Sequence, residues 1–272
     1  MVSSLYMQIT KRHWIAAGVG FVVAVLAGGV WLDSAKTSVA PLPVDTIESA
    51  TSTDTVSTTE PVPARTPAAV QPFPLNASDT IVSWSFKGAY TGSEVLVQKA
   101  TEDIAHLTSL MGKGEFDDYD LYIGIGNDYN LMGDGRGAYQ NFNRAVAIHP
   151  KKGLALVNIA HLMDELGAYR TAADAYTQAV TVESSMLEYH LERLIFLTRQ
   201  FAGEDTQVLA AFADTAKVFG DSAPVLAIKA QWLTGLKRYT EAIPVWETVK
   251  ALSIGRDTSS IDTEIARLKA KQ

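Results

Sequence analysis

One repeating interval constrains this chain more than any single motif does. Tyr122, Ile125, Gly126 and Tyr129 recur, position for position, as Leu156, Ile159, Ala160 and Met163. Gly133, Ala138, Phe142 and Ala145 recur across the identical interval as Gly167, Ala172, Tyr176 and Ala179. Within each helical set the steps are largely three and four, so each set marks one face of a helix. The unit is therefore two amphipathic helices joined by a glycine-bearing turn. Such a unit cannot bury its apolar stripe alone, so neighbouring copies must stack.

A further copy lies at 226–252, where Leu226, Ala230 and Leu233 precede Ala242, Trp246 and Val249. From Ala172 to Ala242 the chain runs two such intervals plus two positions, which leaves room for a degenerate unit with a short insertion. Its helices are expected near 185–200 and 205–219, with Leu209, Phe212, Ala213 and Ala216 facing inward. Asp205 suits the start of the second helix and Gly220 its end. The period also decides how GDGRG at 133–137 is read. Its glycines fall between two repeat helices, and the Lys-Ser/Thr of a phosphate loop is missing, so it is a turn.

These hallmarks resemble the tetratricopeptide repeat (TPR), whose period, like the one here, is about 34 residues. The likeness covers residues 119–252: small residues stand at Gly126, Ala160, Ala138 and Ala172, and Pro150 closes the first unit. It implies an all-α, right-handed helical solenoid of about four helix pairs. Flanking helices complete the stack. Residues 93–112 carry Leu96, Ala100, Ile104, Leu107 and Met111 on one face, between Ser93 as cap and Gly112 as stop. At the other end Ile261, Ile265 and Leu268 form an apolar face, with Ser259 and Asp262 placed as a capping box. Residues 80–88 alternate around Trp84 and Phe86, which predicts an extended segment that either docks on the first helix or floats free of it.

The N-terminal portion has a different character. Residues 14–32, between Trp14 and Leu32, are apolar and uncharged. As a helix they would span roughly 28 Å, close to a bilayer core. Lys11 and Arg12 precede the run and Asp33 follows it, which places residues 1–13 in the cytoplasm and the remainder outside. The run is longer than a signal-peptide core, and Ser38–Ala40 is followed by Pro41, so an uncleaved membrane anchor is expected. Ala16, Gly20, Ala24 and Gly28 offer a small-residue stripe for self-association of that helix. Residues 33–78 hold seven of the ten prolines, much Ser and Thr, and no periodic apolar pattern. They read as a disordered linker, leaving 79–272 as the repeat domain.

Chemistry is sparse. With no cysteine there is neither a disulfide nor a thiolate site, and the five histidines include no HExxH or comparable spacing. GxSxG and SxxK are absent, and the DDYD run at 117–120 lacks the pattern of a calcium loop. No cofactor, no metal and no enzymatic activity are expected. A net charge of -7 argues against nucleic acid as a partner.

What the resemblance implies instead is protein binding. In that family the first helix of each pair lines a concave groove that seats peptides or helices of partner proteins. The corresponding positions here are Ile123, Asn127 and Asn130 in the first unit, and Val157, Asn158 and His161 in the second. Asn127 and Asn158 match two positions that hold a peptide's terminal carboxylate in chaperone-binding members. The cationic partners of that clamp are replaced: Ile123 stands for a lysine, and Glu188 and Glu192 fall near the remaining basic positions. A neutral, apolar or basic segment is thus the expected ligand of a membrane-anchored, extracytoplasmic scaffold. The last unit is also similar to the repeat domains of bacterial cytochrome c maturation proteins, which would imply presentation of an apocytochrome or another client to envelope machinery.

Overall fold

Each repeat of the sequence folds into two helices, and the residues that face inward are largely those the spacing selects. The structure, a computed structural model, describes residues 72–272. These residues form ten helices and no strand: α1 (Glu94–Leu110), α2 (Asp118–Met132), α3 (Gly135–Ile148), α4 (Leu154–Glu165), α5 (Tyr169–Val182), α6 (Leu187–Gln200), α7 (Asp205–Phe219), α8 (Ala223–Gly235), α9 (Tyr239–Leu252) and α10 (Ser259–Lys269). They pair as α2–α3, α4–α5, α6–α7 and α8–α9, with α1 before and α10 after. Packing is chiefly between consecutive helices, as a helical repeat stack requires. No helix among the described residues is long and apolar enough to cross a membrane. The apolar run at 14–32 and the linker through residue 71 lie outside the described residues.

The repeat pattern has direct steric causes. A Cβ on Gly126 would collide with the ring of Phe142, so a bare α2 backbone is what lets α3 approach. Ala160 and Ala172 play the same part between α4 and α5, and both are fully buried. Three of the four turns within pairs then close in one way, the α6–α7 turn being the exception. The N–H of Gly133 bonds to the Asn130 carbonyl and that of Asp134 to Tyr129. Gly167 and Ala168 repeat this with Asp164 and Met163, and Lys237 and Arg238 with Thr234 and Leu233. The residue at the corner is left-handed in all three, at φ 82°, 74° and 61°. The third of these is Lys237, which has no glycine's freedom there.

The degenerate unit exists, but its second helix is rotated from the expected face. Val208, Ala211, Phe212 and Thr215 are buried, whereas Leu209 and Ala213 are exposed and Ala216 is half-buried. The extra residues enter before α7, in a turn that runs from Phe201 to Glu204. Phe201 is itself buried, so the turn is part of the core. Helix α10 begins at Ser259 with Thr258 as its cap residue, whose own side chain makes no capping bond. The expected box does not form because Ser259 donates its N–H to Asp257, and Asp262 pairs with Lys250 at 2.6 Å.

The expected linker boundary at Ser78 also moves. Phe73 is buried, donates its N–H to Asn143 of α3, and accepts from the Tyr139 hydroxyl. Asn76 then bonds to Thr171 and Asp174 of α5. Asp79 accepts from the Thr171 N–H at 2.6 Å and the Thr171 hydroxyl at 2.7 Å. Helix α5 has Ala168 at its cap position and no cap of its own, so Asp79 supplies one from far upstream in the chain. Trp84 and Phe86 dock on the α2–α3 turn rather than on α1: the Trp84 carbonyl accepts from Gly135, and the Phe86 N–H donates to Gly133. A Cβ on Gly133 would overlap the Phe86 carbonyl oxygen, so glycine is required at that corner twice over.

Candidate functional site

The first helices of the first three pairs, α2, α4 and α6, are linked by polar side chains that reach from one helix to the next. Asn158 of α4 donates from Nδ2 to Oδ1 of Asn127 on α2, at 3.4 Å. One turn further along α4, Nε2 of His161 lies 3.0 Å from Oε2 of Glu192 on α6, in ion-pair range. A further turn on, Asp164 pairs with Arg199 and accepts from Gln200 Nε2 at 2.8 Å, both of α6. The result is a polar strip across three helices, partly open to water: the His161 side chain is 45% exposed. The i, i+3 steps from 158 to 161 to 164 hold all three α4 side chains on one face.

Asn127 and Asn158 each keep hydrogen-bonding capacity beyond their mutual bond, since an amide offers two donors and an acceptor with two lone pairs. His161 is also fixed from behind by the ring of Tyr176, whose centroid lies 5.8 Å away, edge-on. Tyr176 in turn packs on Phe196 at 5.2 Å. Burial, with Glu192 and Asp164 nearby, holds the Tyr176 hydroxyl well above its ordinary pKa, so it stays protonated.

Other expected groove residues lie elsewhere. Ile123 and Val157 are buried, at 8% and 3% exposure, and belong to the core. An apolar branched side chain has no reason to remain in water where neighbouring helices can cover it. Asn130 is half-buried, and its Oδ1 has no hydrogen-bond partner among the described residues. Three of the six expected positions, Asn127, Asn158 and His161, therefore stand in the strip. Arg199 and Gln200 escape the sequence pattern, because they close α6, in the pair whose period is weakest. Asp164 is within reach of the pattern, standing one repeat interval after Asn130.

Two further polar features belong to α2. Asp117 caps α2 by accepting from Tyr119, and it binds Lys152 at 2.9 Å and His149 at 3.0 Å. The Lys152 ammonium, first of all, holds the Asp117 carboxyl below the usual range. Asp128, by contrast, is buried between α1 and α2, and burial pushes its carboxyl up to about 7, with Asp103 of α1 adding repulsion. The register supports that pairing, because Leu107 of α1 lies against Gly124, one turn along each helix from Asp103 and Asp128. No group of three or more His, Asp or Glu residues among those described is placed to hold a metal ion. Searches against protein-family models and curated proteins find no match to this chain.

Proposed function

We propose that this chain is a membrane-anchored TPR protein whose repeats bind a partner protein or peptide outside the cytoplasm. The observation that supports it is the strip formed by Asn127, Asn158, His161, Glu192 and Asp164 across successive first helices. In a right-handed TPR superhelix those helices line the concave surface. Amides and an imidazole held in fixed positions can read the backbone of an extended segment whatever its sequence. Side chains already locked by neighbours lose little entropy on binding. The strip's two carboxylates, Glu192 and Asp164, outnumber its one permanent cation, Arg199, which favours a neutral or basic segment over an acidic one. The apolar run at 14–32 serves as the anchor in this reading, and the residues after it as the tether.

The test is affinity capture with the full-length chain in mild detergent, beside the double variant Asn127→Ala, Asn158→Ala. Both positions are half-buried, so the variant is expected to keep its helix content, which circular dichroism checks. One protein retained by the parent chain and lost from the double variant supports the proposal. Equal retention of the same proteins by both would remove the asparagines from any binding role.

A further inference from the structure

A crevice of about 590 Å³ opens on another part of the molecule, between α1 and α3 with α2 as its floor. Its volume falls within the roughly 300–1,000 Å³ of clefts that seat ligands. Ile104 of α1 and Met111, just past its end, form one wall, and Tyr122 and Tyr129 lie on the floor. The opposite wall is α3, which presents Arg136 and Arg144 to the crevice. These two stand eight positions apart on one helical face, hence about 12 Å from each other along the axis.

Both arginines are exposed and, among the described residues, outside any ion pair, a condition shared by Arg256, whereas Arg193, likewise unpaired, is buried. Arg170, Arg199, Arg238 and Arg267 are each paired with a carboxylate. Among the described residues Arg136 and Arg144 have no such partner. Each instead rests near an aromatic face: Arg136 is 5.2 Å from the centroid of Trp84, and Arg144 is 5.7 Å from that of Tyr122. The single hydrogen bond from Arg144 goes to Asn141 at 3.4 Å, which is long. A guanidinium resting near a ring face still has N–H donors free for a carboxylate. The one carboxylate in the crevice, Asp134, is occupied by capping α3, where it accepts from the Gly137 N–H at 2.9 Å.

We infer that this crevice is a docking site for an acidic segment of a partner protein, laid along α3 with two carboxylates on Arg136 and Arg144. Charge complementarity carries the choice of occupant: two guanidiniums outside any ion pair against the single carboxylate of Asp134, beside an uncharged wall of Ile104, Thr108 and Met111, in a chain of net charge -7. Tyrosine and arginine around a partly apolar floor are also the residue types that dominate binding energy at protein interfaces. Two cations are too few for a nucleic acid, which binds through a longer series of phosphate contacts. This site has the opposite charge preference to the polar strip and does not depend on it.

The experiment uses the full-length chain in mild detergent and two short labelled peptides. They are identical except for Glu or Gln at two positions spaced to match the arginines. Binding is read by fluorescence anisotropy. The Glu peptide is expected to bind at least ~10-fold more tightly than the Gln peptide, since each charge-assisted hydrogen bond is worth about tenfold or more. That advantage is expected to vanish in Arg136→Gln, Arg144→Gln and to shrink as salt rises. Each single variant keeps one cation and half the effect, so the test survives if the double variant loses helix content. Equal binding of the two peptides, or no binding of either, would overturn the proposal, as would undiminished binding of the Glu peptide to the double variant. Displacement of the peptide by a single-stranded oligonucleotide at equal concentration would reassign the crevice to nucleic acid. Self-association abolished by the same variants would reassign it to a second copy of this chain. Tighter peptide binding after neutralising Asp45, Glu48, Asp54 and Glu60 would reassign it to the chain's own upstream acids.

Discussion

The second and third helix pairs are built on one plan from very different materials. In α4–α5 the inward residues are Leu156, Ile159, Ala160 and Met163 against Ala172, Tyr176 and Ala179, and none is more than 3% exposed. One repeat interval on from the first set stand His190, Arg193, Leu194 and Leu197. One interval plus two positions on from the second set stand Val208, Phe212 and Thr215. The third pair thus has histidine for leucine, arginine for isoleucine and threonine for alanine, all three buried. It manages two of them by bonding: His190 contacts Thr215 at 3.1 Å and the Ser184 carbonyl at 3.1 Å, while Thr215 also donates to Ala211. Arg193 is left with a buried Nε that has no partner. The lesson is that a stacked repeat tolerates polar core residues where neighbouring units supply the burial, at a cost in local stability.

Exchanging residues between the two pairs breaks the comparison most sharply. Ile159→Arg places an unpaired cation in the apolar pair and is expected to lower unfolding stability by more than about 4 kcal/mol. Urea titration checks it, and a loss below about 1 kcal/mol would mean that the second pair is no more demanding than the third. The reverse change, Arg193→Ile, is expected to raise stability by about 1–3 kcal/mol by removing a buried unpartnered polar group.

A pH series contrasts the first and third pairs. Asp128 has a folded pKa of about 7, above the ordinary carboxyl value of 3.8. The folded state therefore holds the proton more tightly, and this contribution is present at low pH and lost as pH rises through 7. Between pH 5 and 8 the parent chain is expected to lose about 2–3 kcal/mol relative to Asp128→Asn. His190 acts in the opposite sense, because burial lowers its pKa and favours the neutral ring. Its contribution is present above the ordinary histidine value and lost as pH falls through the lowered one. A parent-minus-variant difference for Asp128 that is flat with pH would remove the carboxylate from the α1–α2 interface.

The smaller effects concern helix ends. Asp79→Ala removes the cap that the upstream segment gives α5 and is expected to cost about 1–2 kcal/mol. Hydrogen exchange should then quicken at Arg170 and Thr171, whereas unchanged exchange there would show that the cap adds nothing. Lys237→Gly restores the turn residue found at Gly133 and Gly167 and is expected to add about 1 kcal/mol. A melting scan of that variant decides whether left-handed strain at 237 is real, since a lower midpoint would exclude it.

The same contrast explains what can be read from sequence. The first, second and fourth pairs carry small residues at Gly126, Ala160 and Ala230 and large apolar ones opposite, so their period is legible. In the third, His190 and Arg193 erase the apolar stripe, and residues added before α7 shift its face from Leu209 and Ala213 to Val208 and Ala211. Length and Gly220 still place the helices, but not the inward face. The packed segment from Phe73 to Phe86 is obscured for another reason. Its contacts with Asn143, Thr171 and Gly133 are long-range hydrogen bonds that no local periodicity records. Of the site, Asn127, Asn158 and His161 follow from position in the repeat. Arg199 and Gln200 need the structure, because only packing of α4 on α6 brings them to Asp164.

The central claim is that the strip across the first helices seats a segment of another protein. The most direct measurement places a photo-crosslinking amino acid at Asn158, at His161 and, as a control on α5, at Gln178, in the full-length chain expressed in its own cells. The account predicts a single adduct of the same mass from 158 and 161 and none from 178. Adducts of equal yield from all three positions, or none from 158 and 161, would contradict it.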